Sequence, residues 1–75
     1  MSLKKPYKKS ATIIATYETD LGLVLNWLRL NKALSSVGEI REIKAGYGVR
    51  VKSKISKESL KDLVKDKFGV FAKVI

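Results

Sequence analysis

The chain is read as an α+β sandwich of the order strand–helix–strand–strand–helix–strand, with a four-stranded antiparallel sheet and two helices on one face. Three observations carry that prediction. Two stretches have helical apolar periodicity, Asp20–Ser36 and Ser56–Phe68. Between them lies Glu39–Ile55, which alternates with period two around a glycine-bearing turn, as a β-hairpin does. Short β-rich segments, Ser10–Glu18 and Val70–Ile75, stand at the two outer positions.

The 75 residues form one domain near the lower size limit for folding without a metal or disulfide staple. Met1–Lys9 is read as a mobile basic arm: it gathers lysines around Pro6 and Tyr7, without periodicity. Lys4, Lys5, Lys8 and Lys9 suit phosphate contact, or simply a solubilising terminus. The single domain is placed at residues 10–75.

Ser10–Glu18 is rich in Thr and Ile, and both of its faces are fairly apolar, which places it centrally in the sheet. Thr19 or Asp20 offers an N-cap to the first helix, and Gly38 a terminator. That helix carries two adjacent apolar stripes. One is Leu23, Trp27, Leu30 and Leu34; the other is Leu21, Val24, Leu25 and Leu28. Together they exceed the arc that one sheet covers. The surplus goes either to the second helix or to another copy of the chain, with Leu21, Leu25, Leu28 and Trp27 as the candidate oligomer interface. Trp27 is either core or an interface anchor.

In the hairpin, two glycines of Ala45-Gly46-Tyr47-Gly48 supply the positive φ values of the turn. Val49, Val51 and Ile55 then alternate with Arg50, Lys52 and Lys54, giving one apolar and one basic face. Glu39–Lys44 is weakly patterned and charged, as an edge strand is. In Ser56–Phe68, Ser56 caps, Leu60, Leu63, Val64 and Phe68 are buried, and Gly69 terminates. In Val70–Ile75, Val70, Ala72 and Val74 oppose Phe71, Lys73 and Ile75.

This element order is that of the ferredoxin-like, or split βαβ, arrangement, with expected spatial order 4-1-3-2. Right-handed crossovers put both helices on one face. The other face is open, and the alternation assigns Arg50, Lys52, Lys54, Phe71 and Lys73 to it.

Composition bounds the chemistry. Lys and Arg number 16 against 7 Asp and Glu, a net charge of +9, which draws the chain to polyanions. The alternative is a lysine-rich solvated surface. With neither His nor Cys, and no convergent acid pair, an enzyme is not expected, nor a metal or cofactor. No apolar run is long enough for a membrane span, and no signal-peptide pattern is present, so a soluble cytoplasmic chain is expected.

Gly46-Tyr47-Gly48-Val49, after Lys44-Ala45, resembles the third-strand signature of the RNA-recognition motif. Strand one lacks the stacking aromatic, Val49 stands where another is expected, and the family's spacing turns Arg50 and Lys52 inward. A buried pair of unpartnered cations is untenable, so membership is rejected and only the idea of an open platform is kept. Thr19-Asp20-Leu21-Gly22 resembles the Asp-x-x-Gly turn of ACT-type regulatory domains, with the glycine one residue early. That resemblance implies ligand sensing at a dimer interface. The leading expectation is a small nucleic-acid-binding domain, RNA or DNA, of low sequence specificity. It uses Arg50, Lys52, Lys54, Lys73 and the arm for phosphates, and Phe71, Tyr47 or Tyr7 for stacking. The alternative is a protein-interaction module, as a homodimer or a subunit of a larger complex.

Overall fold

The structure, a computed structural model, describes residues 9–75. It is an α+β fold: an open, five-stranded antiparallel sheet and two helices. The elements are β1 (Lys9–Ala15), α1 (Glu18–Leu30), β2 (Leu34–Val37), β3 (Arg41–Ile43), β4 (Gly46–Ser53), α2 (Lys57–Phe68) and β5 (Ala72–Val74). The sheet runs β2-β4-β1-β5, with β3 also paired to β4. This is compatible with a ferredoxin-like arrangement, but it has five strands where four were expected. The central strands are the two expected ones, β1 and β4.

The extra strand arises because the edge beside β4 is broken. Leu34 pairs with Ser53 and Ser36 with Lys52, so the edge advances two residues against one. From Val37 to Arg41 it advances four residues while β4 goes from Val51 back to Gly48, three. Each slip leaves one residue over, as a β-bulge does. Gly38 sits between the two segments, its N–H donating to the Arg50 carbonyl at 2.8 Å. It is therefore a point of close backbone approach and not the terminator of α1.

The helix stops earlier, at Leu30, by a Schellman motif. The Ala33 N–H reaches the Leu28 carbonyl (3.0 Å) and the Lys32 N–H the Arg29 carbonyl (2.9 Å). The left-handed position, usually glycine, is held by Lys32 at φ 57°. Residues 34–36, expected to be helical, lie in β2 instead. At the other end the N-cap is Tyr17, with Glu18 and Asp20 in the first turn, so Thr19 and Asp20 lie inside the helix. The Asp20–Gly22 stretch is thus helical, and the ligand-admitting turn implied by the ACT-type resemblance is not formed.

Expectations for α2 hold closely: the Ser59 N–H donates to the Ser56 side-chain oxygen at 3.1 Å, and Gly69 caps the end at φ 59°. The last strand is shorter than expected. A single 3-10 turn, Gly69–Phe71, precedes β5, so Val70 does not face the helices but is 95% exposed.

The core lies on one face of the sheet. Ala11, Ile13 and Ala15 of β1, Val49 and Val51 of β4, and Ala72 and Val74 of β5 meet Leu21, Val24, Leu25 and Leu28 of α1 and Leu60 and Val64 of α2. Ser53 shares that buried face: its hydroxyl receives the Ile55 N–H (3.0 Å) and donates to the Ile55 carbonyl (2.7 Å). No helix of the described residues is long and apolar enough to cross a membrane.

Candidate functional site

Antiparallel pairing fixes which side chains share the uncovered face. Residues directly opposite point the same way, so the buried pairs Ala11–Val51 and Ile13–Val49 imply an open-face set of Ser10–Lys52, Thr12–Arg50 and Ile14–Gly48. Pairing with β5 adds Lys73, opposite Ile14, and Ile75, which exchanges hydrogen bonds with Thr12. Pairing with β3 adds Arg41, opposite Gly48, and Ile43, opposite Gly46. The lack of a side chain at Gly48 leaves room for its neighbours: a Cβ there would lie 3.4 Å from Ile43 Cδ1 and 3.9 Å from Ile14 Cγ1.

The face therefore carries four exposed cations, Arg41, Arg50, Lys52 and Lys73, around the aliphatic side chains of Ile14, Ile43 and Ile75. The acids lie elsewhere. Glu18 and Asp20 begin α1; Glu58, Asp62 and Asp66 are on α2. Glu39 precedes β3, and Glu42, opposite Tyr47, has the phase of the helix side. Among the described residues no cluster of acids is placed to hold a metal ion.

Of the residues predicted for this site, Arg50, Lys52 and Lys73 are brought together. Lys54 is not on the strand: it follows the end of β4, exposed, with its N–H donating to the Ala33 carbonyl. Tyr47 opposes Ala15, so it has the helix-side phase and is half-buried against the core. It is therefore no stacking ring for this face. Phe71 is 63% exposed but sits in the 3-10 turn, at the margin of the sheet beside Lys73. Lys9 is the first residue of β1, and Lys4, Lys5, Lys8 and Tyr7 lie outside the described residues.

The predicted oligomer interface is corrected as well. Leu21, Leu25 and Leu28 are in the core, because this stripe, and not the Leu23 stripe, faces the sheet. Leu23 (62%) and Leu30 (73%) are the apolar residues α1 leaves in solvent. Trp27, between them, is half-buried, packing edge-on against Phe68 at 5.7 Å between ring centres, with the Lys67 ammonium 5.8 Å from its ring.

Arg41 was missed because its strand looked unpatterned. The signal was the hairpin register: Ile43 pairs with Gly46 across a two-residue loop, Lys44-Ala45, which puts Arg41 against Gly48. Comparison with protein-family models, with curated proteins and with solved structures finds no match to this chain. Its function is therefore argued from the chemistry of its own surface.

Proposed function

We propose that the chain is a small nucleic-acid-binding domain of low sequence specificity on a ferredoxin-like scaffold, in which β2 and β3 act as one broken second strand. Arg41, Arg50, Lys52 and Lys73 contact phosphates across the open face. Ile14, Ile43 and Ile75 offer apolar contact to bases, and Phe71 a ring at the margin. The observation that supports this is the segregation of charge: four cations share a face to which no described strand residue contributes an acid, the one acid within the strands, Glu42, having the opposite phase. A surface serving only solubility mixes its signs, as α2 does with Lys57, Lys61 and Lys65 among Glu58, Asp62 and Asp66. Since Lys9 pairs with Ser53, the basic arm joins the domain beside the Lys52 end of this face. The arm extends the same footprint in this reading.

The test is fluorescence-anisotropy titration of labelled single- and double-stranded oligonucleotides across a salt series. Four phosphate contacts give a slope of log K against log salt of about −2.8 for single strands and about −3.6 for duplex, steeper with the arm engaged. Arg50→Glu with Lys52→Glu abolishes binding if the open face carries it. A salt-insensitive complex refutes the proposal, and binding that survives in the variant moves the site to Lys4, Lys5, Lys8 and Lys9.

A second reading, an assembly module, is favoured by one observation: Leu23 and Leu30 stand exposed one turn either side of Trp27. It predicts concentration-dependent association in sedimentation that Leu23→Glu with Leu30→Glu removes.

A further inference from the structure

The outer edge of β5 has a chemistry different from that of the open face. Thr12 and Ile75 exchange backbone hydrogen bonds in both directions, at 3.3 and 2.8 Å. In an antiparallel ladder such pairs recur at every second residue, so Lys73 also turns its backbone groups toward β1. Val74 then directs its N–H and carbonyl outward, and Ala72 its carbonyl. Among the described residues no strand pairs with that side.

Edges of this kind are usually guarded by charge, proline or a covering loop. Here β5 carries one such charge, Lys73, but the 3-10 turn also places Val70, 95% exposed, and Phe71 beside the edge, and Ile75 is half-exposed at its far end. An open groove of about 830 Å³ runs along it. Lys61, Asp62 and Lys65 of α2 line one bank, and Ile14, Phe71 and Lys73 the other.

We propose that this edge receives an extended acidic segment of a partner protein by strand addition. The outward backbone groups supply main-chain pairing whatever the sequence, and the two banks take alternate side chains. Three lysines against Asp62 favour carboxylates, and Val70 and Phe71 take apolar groups. A second copy of the chain fits poorly, since it brings the same lysines and another net charge of +9 to the seam. A nucleic-acid strand has no peptide groups to continue the ladder.

The experiment uses the isotope-labelled chain and a capped peptide of alternating Glu and Val. A lysine-for-glutamate copy and a backbone N-methylated copy are the controls. At saturation the Val74 amide gains protection from hydrogen exchange on the order of tenfold or more, while that of Lys73, already paired, is unchanged. Both control peptides bind weaker by about tenfold or more. Val70→Asp with Lys65→Glu, both solvent-facing, weakens the Glu-Val peptide to a similar degree without altering the thermal midpoint by more than a few degrees. Absence of binding at millimolar peptide overturns the proposal. So does binding that leaves Val74 exchange unchanged, or an affinity that the double variant does not alter. An oligonucleotide that itself protects Val74 also overturns it, and joins the groove to the open face.

Discussion

Gly46 offers the sharpest check on the geometry, because two independent effects act there in the same direction. Its φ is +133°, a conformation L side chains rarely adopt. Holding a non-glycine residue in such a region costs about 1–3 kcal/mol. In addition, a Cβ at this position would collide with the Ala15 carbonyl oxygen and lie 2.7 Å from Thr16 Cα. Both are backbone atoms at the end of β1, so relief requires the central β1–β4 pair to part. We expect Gly46→Ala to destabilise by at least about 3 kcal/mol. A 75-residue domain has a total stability of about 4–11 kcal/mol, so this is a large share. At roughly 4–8 °C per kcal/mol, the thermal midpoint falls by about 12–24 °C.

The matched control is Gly22, inside α1, where an added Cβ meets nothing within 4 Å. The same substitution there removes the helix penalty of glycine and raises stability by up to about 1 kcal/mol. Far-UV circular dichroism with heat and urea reads both. A Gly46→Ala protein within about 1 kcal/mol of the parent would refute the turn geometry. With it would go the hairpin register that places Arg41 on the open face.

Three further outcomes are expected. Lys32→Gly, at the left-handed position of the Schellman motif, stabilises by about 1 kcal/mol, read as a higher urea midpoint with unchanged slope. Ser53→Ala strips the half-buried Ile55 N–H of its acceptor and destabilises by about 1 kcal/mol or more in the same assay. Arg50→Thr replaces a cation by a good strand former directly opposite Thr12, so it raises the thermal midpoint while weakening oligonucleotide binding and lowering the salt slope by about one unit.

Much of the layer structure was legible because alternation and helical period constrain it strongly. Arg50 and Lys52 cannot be buried without partners, so Val49 and Val51 had to face the helices, and they do. Ser56 marked the start of α2, and Gly69 its end. The end of α1 was not legible, since its left-handed position holds a lysine and nothing in Asn31-Lys32-Ala33-Leu34 signals a stop. Choosing Gly38 there carried the helix through β2 and hid the broken edge. The choice between the two α1 stripes was also undetermined: both are apolar, and which one is buried depends on how the helix rolls on Ala11 and Ala15. For the site, a face of β4 could be read from a single strand. Arg41 required the register between strands, and Phe71 required the 3-10 turn, neither of which a local pattern encodes.

The charge arrangement itself needs a cause. Arg50 and Lys52 are neighbours on one face of one strand, Arg41 lies diagonal to Arg50 across the β3–β4 pair, and Lys73 is across β1. Like charges so placed repel, and no acid on a described strand shares their phase to offset it. Folding alone gives no reason for this, since threonine would serve the strands better at each exposed position. On the proposed function, the sheet accepts a standing repulsion that a bound polyanion would relieve, and by linkage a ligand that binds only the folded state raises its stability by the same interaction. Stability that rises with bound oligonucleotide and falls back with added salt is the behaviour of a binding face, whereas a surface serving only solubility has no such relief to give.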